Sequence, residues 1–189
     1  MARPSVREQL IDAAHERFHE YGFNGSGIKE IADGAGVPKG SVYNHFDSKE
    51  SMAIEVMRRY GDARRMGMLA DKSVAPVERI RGHFAYLSED LERYGYARGC
   101  MFGNFGAELS THSPTIRDEV GRKLGGWESV LASVLDEARA AGELASEVDS
   151  VVLARFLVSA WEGAAMQAKV VRSSVPLDDF FTVFDSMTV

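Results

Sequence analysis

The run Lys39-Gly40-Ser41-Val42-Tyr43-Asn44-His45 holds the densest set of groups able to read another molecule. Ser41, Tyr43, Asn44 and His45 offer hydrogen bonds at helical spacings. Gly40 removes a side chain where a second backbone would press close. Lys39 opens the run, and Lys49 puts a cation at the next helix start. Just upstream, Ser26 and Gly27 lie where the free N–H groups of a helix start favour an anion such as a phosphate. Together these are the means by which a protein reads a nucleic-acid groove: base edges by amides, hydroxyls and imidazole, phosphates by cations and helix starts. Each residue also has a purely structural reading. Ser26 reads as a helix cap, Lys39 and Lys49 as solvated charges, Tyr43 as a half-buried aromatic, and His45 as a surface or capping histidine.

A second set could do different chemistry. Cys100, the only cysteine, stands in Arg98-Gly99-Cys100-Met101-Phe102-Gly103-Asn104. A helix start and a neighbouring cation favour a reactive thiolate there, although a lone cysteine also reads as a pocket-lining thiol or a small core residue. Lys169 follows Trp161 and Met166 in an apolar helix, where an ammonium needs a carboxylate or thiolate partner or must snorkel outward. Phe102, Phe105, Trp161 and Met166 are candidate pocket-lining residues, and equally candidate core. Clustered His/Glu metal spacing, a nucleophile elbow, a phosphate loop and paired carboxylates are all missing, which argues against an enzyme and implies no metal or cofactor.

The elements that must position these groups read as helices from end to end, about nine of them with short connections, an all-α protein. The first begins at Pro4 or Ser5 and ends at Gly22; Ser26 is placed to cap a brief second one carrying Ile28, Ile31, Ala32 and Ala35. Gly36 breaks that helix, and a third short one starts at Pro38-Lys39. A helix, a tight turn and a second helix make a helix-turn-helix, whose second member suits the major groove. With Asp47 as N-cap and Glu50 completing the capping pair, a long fourth helix runs to about Leu69. Pro76, Pro114, Asp149 and Pro176 open later helices, and Gly142 closes one. The expected division is residues 1–48 as the helix-turn-helix domain, 49–72 as a connecting helix, and 73–189 as a larger helical domain.

Charge follows that division. Of 189 residues, 22 are basic and 28 acidic, a net charge of −6. Residues 1–72 balance 11 against 11, so all the net acidity falls in residues 73–189. Such a chain does not coat nucleic acid non-specifically, but a neutral head can still bind DNA through a few placed groups. No apolar run is long enough to span a membrane, and no secretory leader is visible, so a cytoplasmic protein is expected.

The segment GFNGSGIKEIADGAGVPKGSVYNHFDSKESM strongly resembles the N-terminal domain of the TetR family of bacterial transcriptional repressors. The resemblance implies a dimeric repressor on a palindromic double-stranded DNA operator. Residues matching Lys39, Ser41, Tyr43, Asn44 and His45 would lie at the groove or its phosphates, and the one matching Lys49 on the backbone. Gly27 departs from the Thr or Ser of many members, which puts one phosphate contact in doubt. The segments RGCMFGNFGAELS and WEGAAMQAKV are similar to a subset associated with reactive electrophiles and unsaturated carboxylates, which implies a small-molecule effector acting at Cys100 with Lys169 nearby. The competing readings are an all-helical enzyme and a helical scaffold without DNA affinity.

The helices of residues 116–138 and 151–171 are apolar on more than one side, which suggests a partner chain. Gly121, Gly125 and Gly126, then Ala160, Gly163, Ala164 and Ala168, allow close backbone approach, either to neighbours in the same chain or to a second copy. Trp127, Leu131, Ala160, Gly163 and Ala164 are the expected homodimer interface.

Overall fold

The computed structural model describes residues 4–145 and 147–189. Among these residues it contains nine α-helices and one 3-10 helix: α1 (Val6–Tyr21), α2 (Ile28–Gly34), η1 (Lys39–Asn44), α3 (Lys49–Asp62), α4 (Gly67–Ala70), α5 (Pro76–Arg93), α6 (Met101–Leu109), α7 (Pro114–Ala140), α8 (Ser150–Val171) and α9 (Val175–Asp185). The only extended pairing among them is an isolated bridge between Leu144 and Thr188. The all-α expectation holds. Among the described residues no helix is long and apolar enough to cross a membrane.

The helices gather into two units. One comprises the chain up to Ala63 together with Met101–Val120; the other comprises Arg64–Cys100 and Gly121–Val189. The expected boundary at residue 73 is therefore not the boundary of contacts, because α6 packs with the N-terminal helices. Its Phe105 is fully buried and meets Phe18 and Phe23 edge-on at 5.7 and 6.1 Å.

In the first unit, α1 starts at a capping box in which Ser5 and Glu8 satisfy each other's backbone N–H groups. It stops at Gly22, whose φ of 72° is costly for any residue with a Cβ. Leu10, Ala14 and Phe18 of α1 close on Ile31 and Ala32 of α2 and on Met52, Val56 and Met57 of α3, all of them fully buried. Two expected caps shift by one residue. The α2 cap is Gly27, and Ser26 instead donates its hydroxyl to the Gly22 carbonyl at 2.6 Å. The α3 cap is Ser48 paired with Ser51, not Asp47 with Glu50.

The long fourth helix is broken. α3 ends at Asp62, Arg65 turns into the left-handed region at φ 50°, and α4 restarts at Gly67. Arg64 pairs with Asp90 at 2.8 Å and Leu69 buries completely, so a straight helix gives way to two anchored contacts within the second unit. The core of that unit is aromatic: Phe84 of α5 meets Trp161 of α8 at 5.1 Å and Phe180 of α9 at 4.7 Å. Arg79 is buried beneath it, bonded to the Leu69 carbonyl at 2.9 Å and paired with Glu137. Asp149 accepts from the N–H groups of Val151 and Val152 and so starts α8 as expected.

Candidate functional site

The helix-turn-helix is anchored from below and open above. Val42 and Phe46 are 1% and 5% exposed, and the Arg7 guanidinium lies 5.2 Å over the Phe46 ring. Lys39, Gly40, Tyr43, Asn44 and His45 all face solvent, with Tyr43 58% exposed, while Ser41 is half-buried. The segment is a 3-10 helix, not an α-helix, held by Ser41 N–H to Pro38 and His45 N–H to Val42. A 3-10 helix repeats every three residues, so Gly40 and Tyr43 share an edge. The backbone of Gly40 is not left-handed, and a Cβ there would touch nothing within 4 Å. The fold itself does not require this glycine.

Three other expected DNA residues sit differently. Ser26 is 0% exposed and committed to Gly22, so its hydroxyl cannot reach a phosphate. Gly27 is half-buried with the Glu30 carboxylate lying where its Cβ would be, an acceptor in place of the expected anion site. Lys49 is half-buried with its ammonium 4.2 Å over the Phe23 ring, and burial pushes its pKa down against the pull of Glu108 and Glu30.

A residue that sequence reading missed fastens this head. Glu108 of α6 accepts the backbone N–H of Phe23 at 2.8 Å and of Asn24 at 2.6 Å, spanning the loop between α1 and α2. One carboxylate thereby fixes the entry to the helix-turn-helix from a helix some 80 residues away. A Cβ on Gly22 would lie 2.8 Å from the same carboxylate, so Gly22 serves both the backbone turn and this contact.

The candidate effector residues fall into separate surroundings. Phe105 belongs to the core of the first unit, as does Phe102, which stands edge-on to Tyr60 at 5.2 Å. Trp161 is buried in the aromatic core of the second unit, and Met166 is 56% exposed, pointing away from any interior. Cys100 is partly exposed, and its thiol donates to the carboxylate of Glu162, a residue not foreseen as a site. Burial pushes the Glu162 carboxyl up, and the thiol opposes this only in part. Lys169 is half-buried in the last turn of α8, seven residues from Glu162 and so on the same face of the helix. Among the described residues no group of three or more His, Cys, Asp and Glu is arranged to hold a metal ion.

The expected interface residues also divide. Leu131 has no exposed surface in the chain and belongs to the interior of the second unit, whereas Trp127 is half-buried and packs on His83 and Phe84 at 5.6 and 5.7 Å. Ala160, Gly163 and Ala164 instead line an apolar groove of about 760 Å³ between α8 and α9, with Phe156, Val171 and Val183 exposed along it. A Cβ on Gly121, Gly125, Gly126 or Gly163 would meet nothing within 4 Å, so packing inside the chain does not call for them.

A solvent-facing helix-turn-helix on one helical unit, followed by a second unit with a lone partly exposed thiol, defines a class of protein that sequence comparison makes explicit. Residues 10–56 match the family described as bacterial regulatory proteins, tetR family, and residues 76–184 match the tetracyclin repressor-like C-terminal domain. The chain belongs to the TetR family, helix-turn-helix DNA-binding regulators of transcription. It is 37% identical over 186 residues to the HTH-type transcriptional repressor DhaR of Mycobacterium sp. strain GP1, covering 97% of this chain and 92% of that one. It is 33% identical over 182 residues to the transcriptional regulator AcuR of Cereibacter sphaeroides, covering 95% and 83%. The crystal structure of a regulatory protein TetR from Rhodobacter sphaeroides superposes with a TM-score of 0.90 at 33% identity, covering 97% of this chain and 99% of that one. The reduced form of Escherichia coli NemR gives 0.84 at 28%, covering 98% of each.

Proposed function

We propose that the chain is a homodimeric repressor that grips a palindromic operator with two copies of η1 and lets go when a small-molecule effector acts on the helices beyond residue 73. Residues 1–48 would read DNA, 49–72 connect, and 73–189 sense and dimerise, with α6 carrying the signal between them. The observation that carries the DNA reading is Gly40: exposed, unstrained, with open space around it, and edged by Lys39, Tyr43, Asn44 and His45. A close approach from outside the chain accounts for a glycine that the chain itself does not use. The α8–α9 groove, apolar and lined by Ala160, Gly163 and Ala164, supports a second copy as the dimer partner.

Cys100 is the proposed point of effector action, in keeping with the resemblance to electrophile-responsive members. It precedes Met101, the first residue of α6, by one peptide bond, and α6 is the helix that Glu108 ties to the α1–α2 loop. Strain at Cys100 therefore begins next to the element that positions the DNA-reading head.

The test is operator binding followed by fluorescence anisotropy, using DNA from upstream of the protein's own coding region, with sedimentation of the same samples. A dimer with salt-dependent, sequence-specific binding is expected. Gly40→Ala should weaken binding by about 1–3 kcal/mol, as for loss of a groove contact, while raising helix stability by up to about 1 kcal/mol. Unchanged affinity in Gly40→Ala and Tyr43→Ala together would refute the DNA face.

A further inference from the structure

The two ends of the helix-turn-helix meet in one contact. The segment is entered through the α1–α2 loop, where Phe23 lies, and left at Lys49, the first residue of α3 and five residues past the end of η1. The Lys49 ammonium stands 4.2 Å from the centre of the Phe23 ring, well inside the reach of a cation–π contact. The ring is itself fixed. It stacks on Phe18 of α1 at 5.7 Å and 20°, and it meets Phe105 of α6 edge-on at 6.1 Å. The backbone beside it is held too, since Glu108 accepts the N–H groups of Phe23 and Asn24.

This is otherwise a poor place for a cation. The positive end of the α3 dipole opposes an ammonium in the first turn, and half-burial strips part of its water. What offsets both is the ring face and the field of two carboxylates, Glu108 and Glu30. The same surroundings disfavour a phosphate. To bind one, the ammonium would leave the ring, and the phosphate would enter the field of both carboxylates, whose like charge opposes it. Lys39 is the contrast, standing exposed at the start of η1.

We propose that Lys49 is a positioning residue and not a phosphate ligand: its ammonium, held over the Phe23 ring, clasps the exit of the helix-turn-helix to its entry and so holds η1 in place between them. This rests on the reading of η1 as the DNA-contacting element, and it departs from the backbone contact that the family resemblance implies for Lys49.

The test compares Lys49→Met, Lys49→Arg, Lys39→Met and Phe23→Leu in the full-length protein. Binding to the upstream DNA is followed by anisotropy from about 50 to about 200 mM potassium chloride, well below the melting transition. Lys39→Met serves as the reference for a lost phosphate contact and should flatten the slope of log affinity against log salt by about 0.9. Lys49→Met should weaken binding by the same factor at every salt concentration, leaving that slope unchanged. Lys49→Arg should restore the affinity, because a guanidinium also stacks on a ring. In thermal unfolding Lys49→Met should melt about 2–4 °C lower. It should cost little further once Phe23→Leu has removed the ring. A slope flattened by about 0.9 in Lys49→Met would make Lys49 a phosphate ligand and overturn the proposal. So would unchanged affinity in Lys49→Met, which would leave the lysine a stabilising residue only, or unfolding costs that simply add in the double variant. A wild-type protein that binds no upstream DNA would strike the operator reading instead, and the unfolding cycle would still decide the clasp.

Discussion

Glu108 holds the loop between α1 and α2 through two backbone donors, and its removal has a calculable cost. The Phe23 N–H is partly buried and the Asn24 N–H exposed, at 2.8 and 2.6 Å from the two carboxylate oxygens. A hydrogen bond to a charged acceptor contributes about 1.5–3 kcal/mol. In Glu108→Ala the Phe23 donor loses that in full, whereas the Asn24 donor recovers most of it from water. The half-buried Lys49 ammonium also loses a neighbouring carboxylate, a contribution that solvent screens. The sum is about 2–4 kcal/mol. At about 2–4 °C per kcal/mol for a chain of this length, the melting temperature should fall by roughly 4–16 °C. Glu108→Gln keeps one acceptor and should lose about half as much. Gly22→Ala suffers left-handed strain in any background and a 2.8 Å clash only while Glu108 is present. Its cost should therefore be smaller in Glu108→Ala than in the wild type, a coupling that a double-mutant cycle reads directly. The assay is thermal unfolding by circular dichroism, with operator binding measured well below the transition. Glu108→Ala within about 0.5 kcal/mol of wild type, the range of an ordinary surface change, would refute the clamp.

Two further outcomes follow from His83 and Cys100. His83 has a folded pKa of about 4 against an ordinary 6.5, so the unfolded chain takes up its proton first as pH falls. Stability should decline from about pH 6.5 to about pH 4 at up to roughly 1.4 kcal/mol per pH unit, a loss approaching about 3 kcal/mol; urea unfolding of His83→Phe across that window should show a shallower pH dependence, and an identical one would refute the burial argument. At Cys100, the serine variant should bind operator as the wild type does yet resist release by thiol-reactive electrophiles in anisotropy. Normal release from Cys100→Ser would mean that sensing is non-covalent.

Much of the fold was legible because helical spacing is local. Gly22, Gly142 and Asp149 punctuate helices within a few residues of themselves, and each does so as expected. The errors come where a distant partner decides. A straight helix to Leu69 satisfies every local rule, but Asp90 draws Arg64 and a buried position draws Leu69, so the helix breaks at Arg65. Ser26 has the composition of a cap, yet Gly22 offers its hydroxyl a closer carbonyl. Met166 and Trp161 lie five residues apart on one apolar helix, and pattern alone does not say which face a neighbour covers; one is 56% exposed and the other 2%.

The same distinction separates the proposed DNA face from the interior of the second unit. The proposed DNA face is one contiguous run, Lys39 to His45, so its residue types and spacing survive in the sequence as a motif. The second unit draws its polar interior from α5, α7 and α8, with His83, Trp127 and Glu162 each about 40 residues from the next. Nothing about His83 between Ile80 and Phe84 announces an unmet group, since a histidine on a core stripe usually finds a partner within the fold. Only the packed structure reveals that this one does not.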